Sequence, residues 1–249
     1  MALNTEQIDL FHESGYLSVG KVLQDAEIEV LREEYDRMLE LYWRENKLRN
    51  LAISDTEDLD AKKNAPLKMI QMMQLSERSL IFRKLLYDAR LLDMVQDFIG
   101  PNIMLFHDQA LYKPKHDGGA VFWHQDNSYW KCRPANLVSL WLTLDDADEQ
   151  NGALHFIPGS HLKPVHHVKA ESTNALLDIH GVDVAKAKIV ELPAGGCLLH
   201  HCQTLHYSPP NRTSRQRRAF IMHYMNPGTR MGDGYLEVAF ERPLLRGRY

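Results

Sequence analysis

Apolar residues in the first third of the chain recur at three- and four-residue steps, and in the last part they cluster in short runs. After Asp25, the positions Ile28, Leu31, Tyr35, Met38 and Tyr42 mark one face of a long helix that Asp25 is placed to cap. A short helix from Thr5 through Phe11 and a brief strand in "GYLSV" precede it. Two further amphipathic segments span about 77–86 and 88–99, and the Gly100-Pro101 pair closes them. From residue 102 the texture changes to "NIMLFHDQALYKP", "LVSLWLTLDD", "GALHFIPG", "AKIVELP", "CLLHHC" and "RAFIMHYM", separated by Gly, Pro, Asn and Asp. Short strands with turn signals between them predict a sandwich or barrel.

The expected architecture is an all-β core with N-terminal helices (α+β): a helical layer over about 1–100 supporting an antiparallel jelly roll over about 101–249. No linker or repeat splits the chain, so residues 1–249 are expected to form one domain. Residues 44–66 are polar and aperiodic, the texture of a lid or a mobile loop.

Composition narrows the class. At 44% hydrophobic and 25% charged residues the chain can bury a sizeable core, and a formal charge of −4 offers no basic footprint for nucleic acid. No apolar stretch approaches a membrane span, and the N-terminus lacks the charged and apolar regions of a signal peptide. Cys132, Cys197 and Cys202 make neither a CxxC pair nor an even disulfide framework, which suits a reducing cytoplasm. "NRT" at 211–213 matches a glycosylation sequon, read as chance without a secretory route.

Candidate chemistry begins at "VFWHQDNSYW", residues 121–130. If His124 and Asp126 lie at a strand end, their i and i+2 spacing turns imidazole and carboxylate to one face, where both can reach one ion. A second histidine would complete a 2-His-1-carboxylate set with three open positions, an arrangement used by non-haem Fe(II) oxygenases, although the same ligands suit Zn(II) and Mn(II). An isolated HxD is equally the pattern of a solvent-facing polar pair. Candidates for the third ligand are His200, His201 and His206, and the basic run Arg212, Arg215, Arg217 and Arg218 follows them. A guanidinium beside such a metal can hold the far carboxylate of a chelating dicarboxylate with two parallel hydrogen bonds.

Three motifs in order, "FWHQD", "NGALHFIPGSH" and "LHYSPPNRTSRQRRAF", resemble the phytanoyl-CoA dioxygenase family of Fe(II)/2-oxoglutarate oxygenases over roughly residues 65–225. The resemblance implies a double-stranded β-helix, a cupin-like jelly roll. It also implies that His206, heading the H-x-S-x-x-N stretch, completes the metal triad with His124 and Asp126. The family's 2-oxoglutarate arginine falls eleven residues later, at Arg217, while strand parity turns Arg218 away. Ser208 matches a hydroxyl that helps hold the same carboxylate, and Trp141 a tryptophan of the cosubstrate pocket. Gln109 falls where the family places another pocket residue, here in place of the methionine of some relatives. Lys68 falls where it often has a lysine contacting 2-oxoglutarate. His161, in "IPGSH", belongs to a turn motif.

The implied cofactor is Fe(II), with 2-oxoglutarate and O2 consumed and succinate and CO2 released as an aliphatic C–H bond of a small molecule is hydroxylated. Asp126 separates the chain from related halogenases, in which a small residue replaces the carboxylate. A Zn-dependent hydrolase and a non-catalytic metal- or ligand-binding jelly roll are the alternative readings. Tyr129, Trp130 and the 44–66 loop are candidates for lining or covering the substrate pocket; substrate identity and oligomeric state are not encoded legibly.

Overall fold

The computed structural model describes residues 2–51, 66–163, 165, 167–169, 177–179, 183–232, 236–237 and 242–247. Most of the 44–66 loop, residues 52–65, lies outside the described residues. The helices are α1 (Thr5–Ser14), α2 (Asp25–Arg44), α3 (Leu75–Arg78), α4 (Leu80–Leu86), α5 (Ala89–Ile99) and α6 (Asn127–Trp130). The strands are β1 (Tyr16–Lys21), β2 (Arg49–Asn50), β3 (Ile70–Met73), β4 (Ile103–Lys113), β5 (Val121–His124), β6 (Val138–Thr143), β7 (Leu154–Phe156), β8 (His167–Lys169) and β9 (Leu177–Ile179). They continue as β10 (Lys188–Val190), β11 (Gly196–His201), β12 (His206–Ser208), β13 (Arg217–Met225), β14 (Arg230–Met231), β15 (Leu236–Glu237) and β16 (Leu244–Arg246).

An eight-stranded antiparallel sheet runs β1-β11-β6-β13-β4-β3-β2, with β16 also pairing β4. A smaller sheet, β10-β7-β12-β5, faces it. Together they form the jelly roll anticipated from the strand texture. Each apolar run of the sequence past residue 102 becomes one strand of these sheets. The short strands β3, β5 and β12 did not stand out as runs, because their pairing, more than their composition, fixes them.

The helical layer covers the outer face of the large sheet. The stripe Ile28, Leu31, Tyr35, Met38 and Tyr42 is buried, in one cluster with Leu140, Leu142, Leu199, Phe220, Met222 and Tyr224. The opposite parity of the same strands, Trp141, Leu198, Ala219 and Ile221, packs between the sheets against Leu154 and Phe156. All nine residues of β13 are therefore buried. A strand covered on both faces reads as a continuous apolar run rather than an alternation.

Two caps differ from expectation. Asn4, not Thr5, caps α1: its side chain accepts from the Gln7 amide at 2.9 Å while the Gln7 side chain accepts from the Asn4 amide at 3.0 Å. This reciprocal box outcompetes a lone threonine one residue on. The helix then continues past Phe11 to Ser14, where Gly15, at φ +83°, closes it. Gln24 caps α2 through a similar box with Glu27, leaving Asp25 in the first turn, paired with Lys21.

Phe220, fully buried between β13 and the helical layer, touches Phe82 with ring centroids 4.7 Å apart. Phe220→Ala is expected to cost about 3–5 kcal/mol of unfolding free energy. Leu244→Ala, at a side chain 48% exposed, is expected to change stability by less than about 0.5 kcal/mol. Denaturant titration of the two variants checks both.

Candidate active site

Strand pairing builds the site. In the small sheet His206 of β12 sits directly opposite His124 of β5, and their rings lie 4.1 Å apart. Strand β5 ends at His124, and Asp126 takes helical angles (φ −52°, ψ −42°) at the start of α6. The carboxylate thus meets the imidazoles by a local turn into a helix, not by the strand alternation expected from the i, i+2 spacing. Asp126 Oδ1 is 3.5 Å from His124 Nε2 and 3.7 Å from His206 Nε2. Single donor atoms from these three buried residues all fall within 4.8 Å of one another, the spacing of a group able to hold a metal ion.

Both imidazoles are oriented for that task. His124 Nδ1 contacts the Phe122 carbonyl at 2.8 Å and His206 Nδ1 the Thr204 carbonyl at 3.0 Å. A ring whose Nδ1–H is donated to a carbonyl presents its Nε2 lone pair. Burial, with His124 and His200 adding to it, pushes His206 down to about 3, so it is neutral at physiological pH. Burial would raise Asp126, but the facing His206, with His124 and His200, outweighs it and holds the carboxyl well below the usual range.

The second oxygen of Asp126 is fixed from behind. His200 Nε2 lies 3.1 Å from Oδ2 and the Ser139 hydroxyl 3.3 Å from it. These belong to a polar rung crossing the large sheet, in which His107, His223, Ser139 and His200 are successive register partners on β4, β13, β6 and β11. Ser139 Oγ is 2.7 Å from His223 Nδ1, and His223 Nε2 is 2.9 Å from Gln109 Nε2. Gln71 Nε2 in turn donates to Gln109 Oε1. Burial, reinforced by His107, pushes His223 well below its ordinary value, so the ring carries one proton. An ionised Asp126 accepts only, and the chain therefore runs one way: Gln71 donates to Gln109, Gln109 to His223, His223 to Ser139, and Ser139 to Asp126.

Arg217 is 1% exposed, and among the described residues none of its three guanidinium nitrogens has a hydrogen-bond partner. Its parity places it with Ala219 and Ile221 on the inner face, 5.4 Å over the Trp141 ring. Burial lowers it to about 10, so it stays cationic at neutral pH. Arg218 turns to the helical side, as parity required, and binds Asp145 and Asp36, while Arg215 pairs with Asp148. The Trp141 indole nitrogen is likewise buried without a partner. Ser208 is buried, and its hydroxyl donates to the Gly152 carbonyl at 2.8 Å.

The metal-ligand group and Arg217 border one cavity of about 510 Å³. His124, Asp126, His206, Arg217, Ser208, Trp141 and Gln109 line it, as do Tyr129 and Trp130. Lys68 does not: its ammonium sits 3.5 Å from Asp117 in a partly exposed pair outside the lining. A lysine missing from the motif pattern occupies the interior instead. Lys113, register partner of Arg217, is fully buried and donates to the carbonyls of Gly119 (2.7 Å), Ser208 (3.2 Å) and Pro209. It ties the chain entering β5 to the chain leaving β12. Ser139, His223, Gln71 and Lys113 were not singled out from sequence. The signal available was a polar residue in an apolar run on the parity of Trp141 or Arg217. His161 lies in the Ser160–Leu162 turn, contacting the His12 carbonyl at 3.1 Å, away from this cavity.

Burial pushes both His107 and His201 down to about 4, from an ordinary 6.5. Between those values the unfolded chain binds protons that the folded chain refuses, so the stability they confer is present above pH 6.5 and lost as the pH falls toward 4. Full protonation is worth roughly 3 kcal/mol for each ring. His201→Gln, which keeps an acceptor for the Gln203 amide, is expected to lose stability less steeply over that window in denaturant titrations.

Comparison with known proteins follows the same outline. The family model for phytanoyl-CoA dioxygenase matches residues 11–219. A probable alpha-ketoglutarate-dependent hypophosphite dioxygenase of Stutzerimonas stutzeri is 29% identical over 147 residues, covering 56% of this chain and 51% of that protein. The peroxisomal phytanoyl-CoA dioxygenase of Homo sapiens is 29% identical over 236 residues, covering 89% of this chain and 68% of that one. The chain thus spans between half and about two thirds of the length of these relatives. Among solved structures, the epimerase SnoN in complex with Fe3+, alpha ketoglutarate and nogalamycin RO superposes with a TM-score of 0.76 at 20% identity, over 97% of this chain and 98% of that one.

Proposed function

The chain belongs to the phytanoyl-CoA dioxygenase family, and on that premise we propose that it hydroxylates an aliphatic C–H bond of a small molecule. It is an Fe(II)- and 2-oxoglutarate-dependent dioxygenase. We assign the metal to His124, Asp126 and His206, and the far carboxylate of 2-oxoglutarate to Arg217, with Ser208, Trp141 and Gln109 around it. Lys68 is left out of this assignment because its ammonium is spent on Asp117 at the surface. The donor set fits Fe(II): two imidazoles that can each present an Nε2 lone pair and one carboxylate with one oxygen already engaged, at the wall of a cavity.

The observation that carries the reading is Arg217. A buried guanidinium with every nitrogen unpartnered is costly to fold. A carboxylate presented in its plane repays that cost with two charge-assisted hydrogen bonds. A Zn-dependent hydrolase would use the same triad and leave this cation without purpose, as would an inert jelly roll.

When bound, the iron with 2-oxoglutarate and O2 supplies the oxidation: succinate and CO2 leave, and one oxygen atom enters the substrate. The protein's own residues do the rest. Arg217 fixes the cosubstrate in one orientation, and the Ser208 hydroxyl turns from the Gly152 carbonyl to share the load. His200 and Ser139 hold Asp126 Oδ2, which would leave Oδ1 free for an ion. Trp141 and Ile221 keep water away from the Arg217 pair.

The same reading treats the whole chain as one catalytic domain, because the principal core is shared by the helical layer and the large sheet. Three free, buried cysteines fit a reducing, cytoplasmic setting. Among the described residues no helix is long and apolar enough to cross a membrane.

Succinate release is expected to require both Fe(II) and O2, and to fall at least about 100-fold in Asp126→Ala and in Arg217→Ala. Turnover that ignores O2, or wild-type rates in either variant, would overturn the assignment. Ser139→Ala is expected to weaken Mn(II) binding about 10- to 100-fold, read by electron paramagnetic resonance of the free ion, with Ser139→Thr restoring it.

A further inference from the structure

Charge on the cavity wall is unbalanced. Among the described residues its lining carries three guanidinium groups, Arg49, Arg217 and Arg242, against the single carboxylate of Asp126. If Arg217 is matched by 2-oxoglutarate, and a divalent ion by Asp126 and the rest of that dianion, Arg49 and Arg242 remain. Neither has a hydrogen-bond or ion-pair partner among the described residues. Arg49 lies on β2 directly opposite Gln71, another lining residue. Arg242 precedes β16, and its charge is among those that lower His107. β3, which carries β2, and β16 both pair the edge of β4 opposite β13, toward its two ends, so the two arginines reach the cavity from that one edge. The same lining includes the uncharged, largely apolar side chains of Met69, Met73, Phe106 and Trp130.

We propose that the prime substrate is a small organic anion, its carboxylate or phosphate held by Arg49 and Arg242 and its hydrocarbon body laid along Met69, Met73, Phe106 and Trp130. This deepens the dioxygenase reading and rests on it. Guanidinium groups without carboxylate partners recognise oxyanions through paired hydrogen bonds. A cavity bearing one sign of charge between low-dielectric walls also draws the opposite sign inward. The apolar wall makes binding depend on a hydrocarbon portion as well, so inorganic anions alone are poor ligands. With the anion anchored at the two arginines, the C–H bond presented to the metal belongs to the body of the molecule and not to the charged end.

The test is calorimetric titration of the anaerobic Fe(II)·2-oxoglutarate protein with hexanoate, hexyl phosphate, hexan-1-ol and hexylamine. Both anions are expected to bind in the millimolar range or tighter, at least about tenfold better than the alcohol or amine. The stronger of the two identifies the oxyanion. The double variant Arg49→Glu/Arg242→Glu is expected to turn the preference toward hexylamine, and Arg49→Gln/Arg242→Gln to erase it without reversal. An alcohol bound as tightly as the anions, no anion binding, or a preference unchanged in both variants would overturn the proposal. Should Fe(II) and 2-oxoglutarate fail to bind together, the dioxygenase reading falls by itself. The same four titrations on metal-free Arg217→Met protein, with and without the two variant pairs, then decide the anion site separately.

Discussion

A single buried cation sets the terms for this structure. Arg217 occupies the inner face of a strand that is covered on both sides, and none of its guanidinium nitrogens has a hydrogen-bond partner among the described residues. Its neighbour Arg218, one residue on and of opposite parity, is paired to Asp145 and Asp36. The contrast is informative because both guanidinium groups are buried and only the less deeply buried one is compensated from within. The helical layer makes this possible. By burying the outer face of β13 against Phe82 and its neighbours, it stabilises the strand that carries the uncompensated charge on its inner face.

The metal-ligand group shows the same division between a working atom and its support. Asp126 turns Oδ1 toward the two imidazoles and gives Oδ2 to His200 and Ser139. Behind Ser139 a one-way run of donors extends through His223 and Gln109 to Gln71 at the cavity wall. Because the neutral His223 has one proton, reversing any member would withdraw the Ser139 hydrogen from the carboxylate. The order of the chain is thus set by the charge at its end. Lys113 supports a different part of the frame: its ammonium binds carbonyls on the chain just before β5 and at the end of β12, the two strands that supply the histidines.

Much of this was legible in the sequence, for definite reasons. The helical stripe on α2 and the short apolar runs gave the two layers, because each element's period follows from the face it buries. His124, Asp126, His206 and Arg217 could be singled out since the motifs around them have fixed spacing. What escaped notice were the supporting residues. Ser139, His223 and Lys113 each lie one or two positions from apolar neighbours, and only cross-strand register brings them into one row. Asp126 reached its place by a helical turn that an i, i+2 spacing does not distinguish from a strand. Lys68 had a position consistent with the motif pattern, yet it precedes β3 on the surface, and a competing carboxylate at Asp117 takes its charge. The caps of α1 and α2 fell one residue earlier than expected because reciprocal side-chain boxes win over single acceptors.

The central claim is that one ion at His124, Asp126 and His206 and one dicarboxylate on Arg217 occupy this cavity together. The most direct measurement is anaerobic absorption spectroscopy, adding Fe(II) and then 2-oxoglutarate to the protein. A visible metal-to-ligand charge-transfer band is expected to rise with 2-oxoglutarate and to need far more of it in Arg217→Met. Bound iron with no such band at saturating 2-oxoglutarate would contradict the account.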